Sequence, residues 1–392
     1  MNELIDRVLA LVDKDRIKET FFDLVKIPSP TGAGRPLAER YADILREIGC
    51  SDVKLIDTVG WPDAPCVVGW RRGKQAGPTL HFNGHLDHAH QPHVSPYVDG
   101  DKVAGRGAAD MKFGLAGMVE LVRVLNLAGA DLPGDLLLSG HDMHEGPIGH
   151  GEGVRSLVGH GYVGDAVVVA EGSRDAVYPV GKSSCFFKID LKRHGASMHE
   201  LVVSPGTPNL LEIGGAVVVA LTALKQRVAQ RVDSATGAES MFLSILQSGD
   251  FYNRLPTSCH IVGIRRLPPE VQRSDVAQEI RQVVESVTAG MPIEVIVDGT
   301  EGNDGFRISP DEKIVRDLCY GYEAVHGKHL ALGVQHFGAD NAKFINLGGV
   351  PAVGYGLDLT RAHSELEWMD VGDVAAMVKV LLVTTLHYFG LA

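Results

Sequence analysis

The chain has 392 residues, 45% of them hydrophobic, and a formal net charge of −12; this exceeds the roughly 250–300 residues one hydrophobic core supports, so two domains are expected. The positive residues are scattered rather than massed, which argues against a nucleic-acid or anionic-membrane surface and for a small-molecule partner. Five cysteines, Cys50, Cys66, Cys185, Cys259 and Cys319, include no C-x-x-C pair, so neither a disulfide framework nor a structural zinc knuckle is indicated, and a reducing cytoplasm fits best.

In chain order, Met1–Lys26 mixes Glu3, Asp6, Asp13 and Asp15 with apolar residues, the pattern of an amphipathic helix rather than a signal peptide. No apolar run is read as reaching the ~18 residues of a membrane span, so a soluble protein without a membrane partner is expected. Short apolar runs at Thr79–Phe82, Asp135–Ser139 and Ala166–Ala170 are bounded by Gly, Pro or Asp and read as strands, while Phe113–Leu127 has helical apolar spacing. This alternation predicts an α/β layered domain around a central sheet, with ligands beyond the carboxyl ends of its strands. His85, the Asp142–Glu145 segment and Glu171 each follow such a run.

From about Ser183 the texture changes to strand (Cys185–Leu191), helix (Leu210–Gln230), strand (Ser258–Ile264), helix (Val271–Ala289) and strand (Ile293–Val297). That is a compact α+β unit over 183–299, inserted in a larger domain made of 1–182 and 300–392. After Gly299 helices return, with a short strand at Val350–Gly354 expected to rejoin the first sheet.

The chemistry-bearing segments begin with Gly84-His-Leu-Asp87 and, 23 residues after Asp87, Asp110 within Gly105-Arg-Gly-Ala-Ala-Asp-Met-Lys112. An imidazole at the end of an apolar run with carboxylates close by suits a divalent metal. Together the two segments resemble G-H-x-D and G-R-G-x-x-D-M-K of the zinc-dependent aminoacylase, acetylornithine deacetylase, succinyl-diaminopimelate desuccinylase and glutamate carboxypeptidase family. The resemblance runs from Lys26-Ile-Pro-Ser-Pro30 to His363. It implies a mixed-sheet catalytic domain, a lid and dimerisation domain, and one or two Zn²⁺ ions, with Co²⁺ or Mn²⁺ as substitutes. His85 becomes a metal ligand, Asp110 the bridge and Asp87 the partner of the far nitrogen of His85. Glu171, in Val169-Ala-Glu-Gly172, and His363, in Ala362-His-Ser-Glu-Leu-Glu367, match further ligands, and Glu367 matches a partner carboxylate.

The family's D-E-E-x-G-x-x-G motif, a general base followed by a ligand, is replaced by Asp142-Met143-His144-Glu145-Gly146-Pro147-Ile148-Gly149. The gapless register puts Met143 at the base position and His144 at the ligand position; methionine accepts no proton. Then either Glu145 reaches in as a displaced base or the chemistry is altered, to a deamination or a non-hydrolytic cleavage. A register shifted by one makes His144 the base and Glu145 the ligand, at the expense of the glycine match. In the inserted unit, His199, Asn209 and Arg265 resemble the family's substrate-binding residues. His88, His90 and His93 read as pocket-wall or solvated residues. The expectation is a homodimeric hydrolase of an amide-type C–N bond in a small carboxylate-bearing substrate, with a non-catalytic metal-binding protein ranked last because the ligands remain.

Overall fold

The computed structural model describes residues 3–392. Two compact units emerge: a larger one that ends at Pro179 and resumes over Ile308–Gly333 and Ala339–Ala392, and a smaller one made of Val180–Arg307 and Val334–Gly338. The smaller unit is therefore wider than the 183–299 segment read from the sequence, and it includes a short return strand segment from further along the chain.

In chain order the strands that matter here are β1 (Ser51–Thr58), β2 (Trp61–Arg71), β3 (Thr79–His85), β4 (Asp135–His141) and β5 (Ala166–Val169). They are followed by β6 (Ser183–Arg193), β7 (Ser240–Ser248), β8 (Ser258–Leu267), β9 (Ile293–Glu301) and β10 (Ala352–Gly354). The helices are α1 (Phe113–Leu127), α2 (Leu210–Val228), α3 (Arg273–Thr288), α4 (Lys313–His326) and α5 (Val371–Tyr388). In the larger unit the sheet order is β1-β2-β4-β3-β5-β10. β3, β4, β5 and β10 run parallel, while β1 and β2 are antiparallel additions. The parallel strands read as continuous apolar runs, such as Leu136–Leu138 and Ala166–Val169, because helices cover both faces.

α1 is buried along nearly its whole length, including Gly114 and Gly117. A Cβ on Gly114 would lie 2.4 Å from the Ala170 carbonyl oxygen, so glycine is what lets this helix approach the end of β5. α5 meets by length and composition the requirement for crossing a bilayer, which corrects the expectation that no run reaches that length. It lies in the core, packed on α4 and α1, with Val374, Val378 and Leu382 fully enclosed.

The N-terminal amphipathic segment forms two helices, Glu3–Ala10 and Lys14–Val25; Asp13 caps the second by accepting from the amides of Asp15 and Arg16. Met1 and Asn2, also part of the expected helix, lie outside the described residues. In the smaller unit, β7-β8-β6-β9 form an antiparallel sheet backed by α2 and α3. β7 was not foreseen. Its Phe242, Ile245 and Leu246 are exposed along the sheet edge, so the in-out alternation that marks a strand is weak there.

Candidate metal centre

The carboxyl ends of β3 and β4 bring His85 and His141 side by side, and Glu171 follows β5 after one further residue. Gly84 matters to this placement: a Cβ there would sit 2.7 Å from Met111 Sδ, in the turn that carries Asp110. That turn is held by Glu367. One carboxylate oxygen accepts from the amides of Ala109 (2.8 Å) and Asp110 (3.0 Å), and the other accepts from the Gly107 amide (3.0 Å) and Arg106 Nη1 (3.0 Å). Gly107 adopts φ +81, the left-handed conformation this turn requires.

Asp110 stands at the middle. Its Oδ1 lies 3.1 Å from His85 Nε2 and its Oδ2 lies 3.3 Å from His363 Nε2, so each oxygen faces a different imidazole. His363 Nε2 is also 2.9 Å from Glu145 Oε1. His363 holds φ +60, unusual for a residue with a Cβ, and this strain aims the ring. Ligand-type atoms of His85, Asp110 and Glu145 lie within 4.8 Å of one another, as do those of His85, His144 and Glu171.

Asp87 acts differently from expectation. The far nitrogen of His85, Nδ1, lies 2.9 Å from the backbone oxygen of Asp87 and 3.6 Å from its carboxylate. The carboxylate instead accepts from the backbone amides of His144 (3.1 Å) and Glu145 (3.0 Å). It thereby fixes the loop that presents both side chains. Met143, at φ +66, turns the chain so that these amides face Asp87, and its own side chain is fully buried near Gly32. Glu145 joins Asp110 and His363, whereas His144 stacks on His85 with ring centroids 4.2 Å apart and planes 4° apart and shares a second group of ligand-type atoms with His85 and Glu171.

Asp340 and His141 are the residues that sequence reasoning missed. Asp340 Oδ2 lies 2.6 Å from His144 Nδ1 and 2.9 Å from His141 Nε2. His141 in turn contacts Asn83 (3.2 Å), and Asn83 donates to Ser139, which also contacts His81 (2.7 Å each). A buried polar ladder on β3 and β4 thus leads to His144. The alternation His81-x-Asn83 against Ser139-x-His141 was a visible signal; Asp340, in a loop, offered none.

The electrostatics follow from this crowding. Burial and the neighbouring Asp110 carboxylate raise Glu171 to about 7, and its Oε2 is buried without a partner. Hydrogen bonds to Asp110 and Glu145 raise His363 to about 10. Burial alone would lower His144, but the Asp340 charge carries it to about 9. Burial likewise works against the charged form of Asp110, yet the contacts with His363 and His85 hold its carboxyl far below the usual range. Such a cluster of carboxylates and imidazoles, with one buried oxygen of Glu171 left over, suits divalent cations with N and O ligands.

In the smaller unit, His199 is half exposed, with Nδ1 accepting from the Leu201 amide and Nε2 2.9 Å from Asn253. Asn209 caps α2 by accepting from the Leu211 amide, and it donates to Glu212. Arg265, expected to meet a substrate carboxylate, is 1% exposed and is paired with Glu239 (Nε, 2.9 Å) and Glu279. Its charge is matched inside the fold, a correction to the role the resemblance implied. His88 is buried against Ser29, His90 contacts Thr31, and His93 is exposed.

A model of the peptidase family M20/M25/M40 matches residues 81–387. The chain belongs to this family. An N-formyl-4-amino-5-aminomethyl-2-methylpyrimidine deformylase of Halalkalibacterium halodurans is 30% identical over 190 residues, 43% of this chain and 42% of that protein. The chain's match thus spans less than half the length of this relative. Aminopeptidase PepT of Bacillus cereus shares the fold at a TM-score of 0.81, with 17% identity over 96% of this chain and 99% of the other. YXEP of Bacillus subtilis, described as a dinuclear metal binding peptidase from the M20 family, has a TM-score of 0.70 and 14% identity, over 97% of this chain and 99% of its own.

Proposed function

We propose that this M20 member hydrolyses an amide-type C–N bond in a small N-acyl substrate bearing a carboxylate, using two divalent cations, zinc first among them. The observation that carries the reading is Asp110, whose two oxygens face His85 and His363 separately. His85 and Glu171 would complete one cation site, and Glu145 and His363 the other. Bound ions supply Lewis acidity at the scissile carbonyl and ease ionisation of water. His144, tied through Nδ1 to Asp340, is the proposed proton acceptor once bound cations offset the charge that raises it, which keeps the family's order of base then ligand one position later. Asp87 keeps both residues in place through their backbone amides. His199 is the proposed substrate contact of the smaller unit, with Asn209 beside the start of α2.

The named activity of the relative, a deformylation, is one member of the class of acyl removals that this chemistry covers. A second reading keeps the scaffold with altered chemistry, since Met143 stands at the motif position of the general base and the Asp142–Glu145 segment carries a single glutamate. Elemental analysis and a panel of N-formyl and N-acyl compounds, dipeptides and N-carbamoyl compounds test both. The hydrolase reading expects up to two ions per chain and turnover of one substrate group, with His85→Ala and Asp110→Ala losing most metal and all activity. Metal-loaded protein inert on the whole panel favours the second reading; full metal content and activity in both variants overturn the site.

A further inference from the structure

A cavity of about 340 Å³ opens at the other end of the larger unit's sheet, lined by Arg71, Arg72, Lys74, Asn126, Asp131 and Leu132 among others. Arg71 ends β2 and pairs in register with Leu136, whereas the metal centre lies at His141 on the same β4. Five residues of strand separate them, about 17 Å along the sheet. The two places are distinct.

Arg71 is 9% exposed. Its Nε donates to Asn126 Oδ1 (2.8 Å) and its Nη2 to the Ala130 carbonyl (2.6 Å), both uncharged acceptors. Among the described residues no carboxylate lies within 4 Å of it. The carboxylates at this end of the sheet are engaged elsewhere: Asp52 and Asp135 both pair with Arg72, and Asp131 pairs with Lys74. A guanidinium does not give up its proton in a protein, and a buried charge without a counter-ion is unfavourable. Burial accordingly pulls Arg71 below the usual arginine range. Each other cation of this cavity forms an ion pair; Arg71, the most enclosed of them, forms none among the described residues and feels the Asp131 charge only at longer range.

We propose that this cavity is a binding site for a small organic anion whose carboxylate or phosphate group pairs with Arg71. At roughly 30 Å³ per water, the space holds about ten waters, more than a bare inorganic ion fills, and Leu132 and Ala130 give its body an apolar wall. The fork of Arg71 suits a planar or tetrahedral oxyanion, and Arg72 and Lys74 at the rim add attraction for it.

The test is calorimetric titration of the metal-loaded protein at constant ionic strength with acetate, succinate, inorganic phosphate and glycerol phosphate, separating carboxylate from phosphate sources. The expected result is one saturable site per chain for an organic carboxylate or an organic phosphate, at least tenfold weaker in Arg71→Gln. Because loss of a buried arginine can impair folding, Ser51→Trp, an exposed position on the cavity lining, provides a second variant that leaves Arg71 in place and must weaken binding as well. Binding of equal strength in the wild type and both variants places the anion elsewhere, at the metal centre for instance, and overturns the proposal. Absence of saturable binding by all four probes at millimolar concentration overturns it too.

Discussion

The carboxylate of Asp340 lies 2.6 Å from Nδ1 of His144, and the same oxygen meets His141. A carboxylate on one ring nitrogen fixes the tautomer and direction of the other, and loss of such a partner costs about 10–100-fold in metal affinity or activity. Asp340→Asn is therefore expected to lower kcat within that range while KM changes little. His144→Ala should lose rate by about 10²–10⁴-fold with most metal retained, and Glu145→Gln should lose metal as well as rate. Turnover and metal content measured on the same samples separate these roles; an Asp340→Asn enzyme with unchanged kcat contradicts the positioning assignment.

Glu367 holds the Asp110 turn through three backbone amides and Arg106, all buried. Removing one partner of a buried ion pair costs about 3–5 kcal/mol. Glu367→Ala should lose stability on that scale in denaturant titrations and bind metal more weakly, because Asp110 moves with its turn. A midpoint equal to wild type sinks this reading.

Two histidines away from the centre give the pH dependence its sign. Burial pushes His81 down to about 3 and His88 down to about 4. Both stay neutral in the folded chain, whereas the unfolded chain protonates them below about 6.5. Their contribution is thus complete above pH 6.5 and is lost as pH falls toward 4 and then 3, with a limiting slope of about 1.4 kcal/mol per pH unit for each histidine. His81→Gln should flatten the fall between pH 7 and pH 5 in equilibrium unfolding. An unchanged slope in that variant refutes the assignment.

The exposed apolar edge of β7 calls for a cover, since natural sheets protect such edges. A homodimer through the smaller unit should give a mass near 84 kDa by light scattering, twice the 42.0 kDa of the chain. Phe242→Lys should shift the mass toward the monomer. A wild-type mass near 42 kDa at micromolar concentration would falsify the dimer.

What the sequence disclosed of the fold were elements with a strong period or a full apolar run: β3, β4, β5, α1 and the strand–helix alternation of the smaller unit. β7 escaped because its solvent-facing positions carry Phe242, Ile245 and Leu246 and so blur the alternation. At the site, His85, Asp110, Glu171 and His363 carried motifs, and the structure gathers them in one place. The order of Met143, His144 and Glu145 was not readable, because it depends on the left-handed backbone at Met143 and on which amides Asp87 receives. Asp340 became visible only through a contact spanning 196 residues of sequence.

The attachment of Glu367 to the turn at Gly107–Asp110 joins points some 260 residues apart, and His363 reaches Glu145 across 218. A growing chain leaving the ribosome therefore carries half a cradle over the 192 positions from Glu171 to His363: His85, Asp110 and Glu171 are present while His363 and Glu367 at the far side are still unmade. Contacts of such long sequence separation form late and slowly. The ligand cluster would close only once His363 and Glu367 have emerged, and a chain cut short before His363 would lack both of them together with the core helix α5.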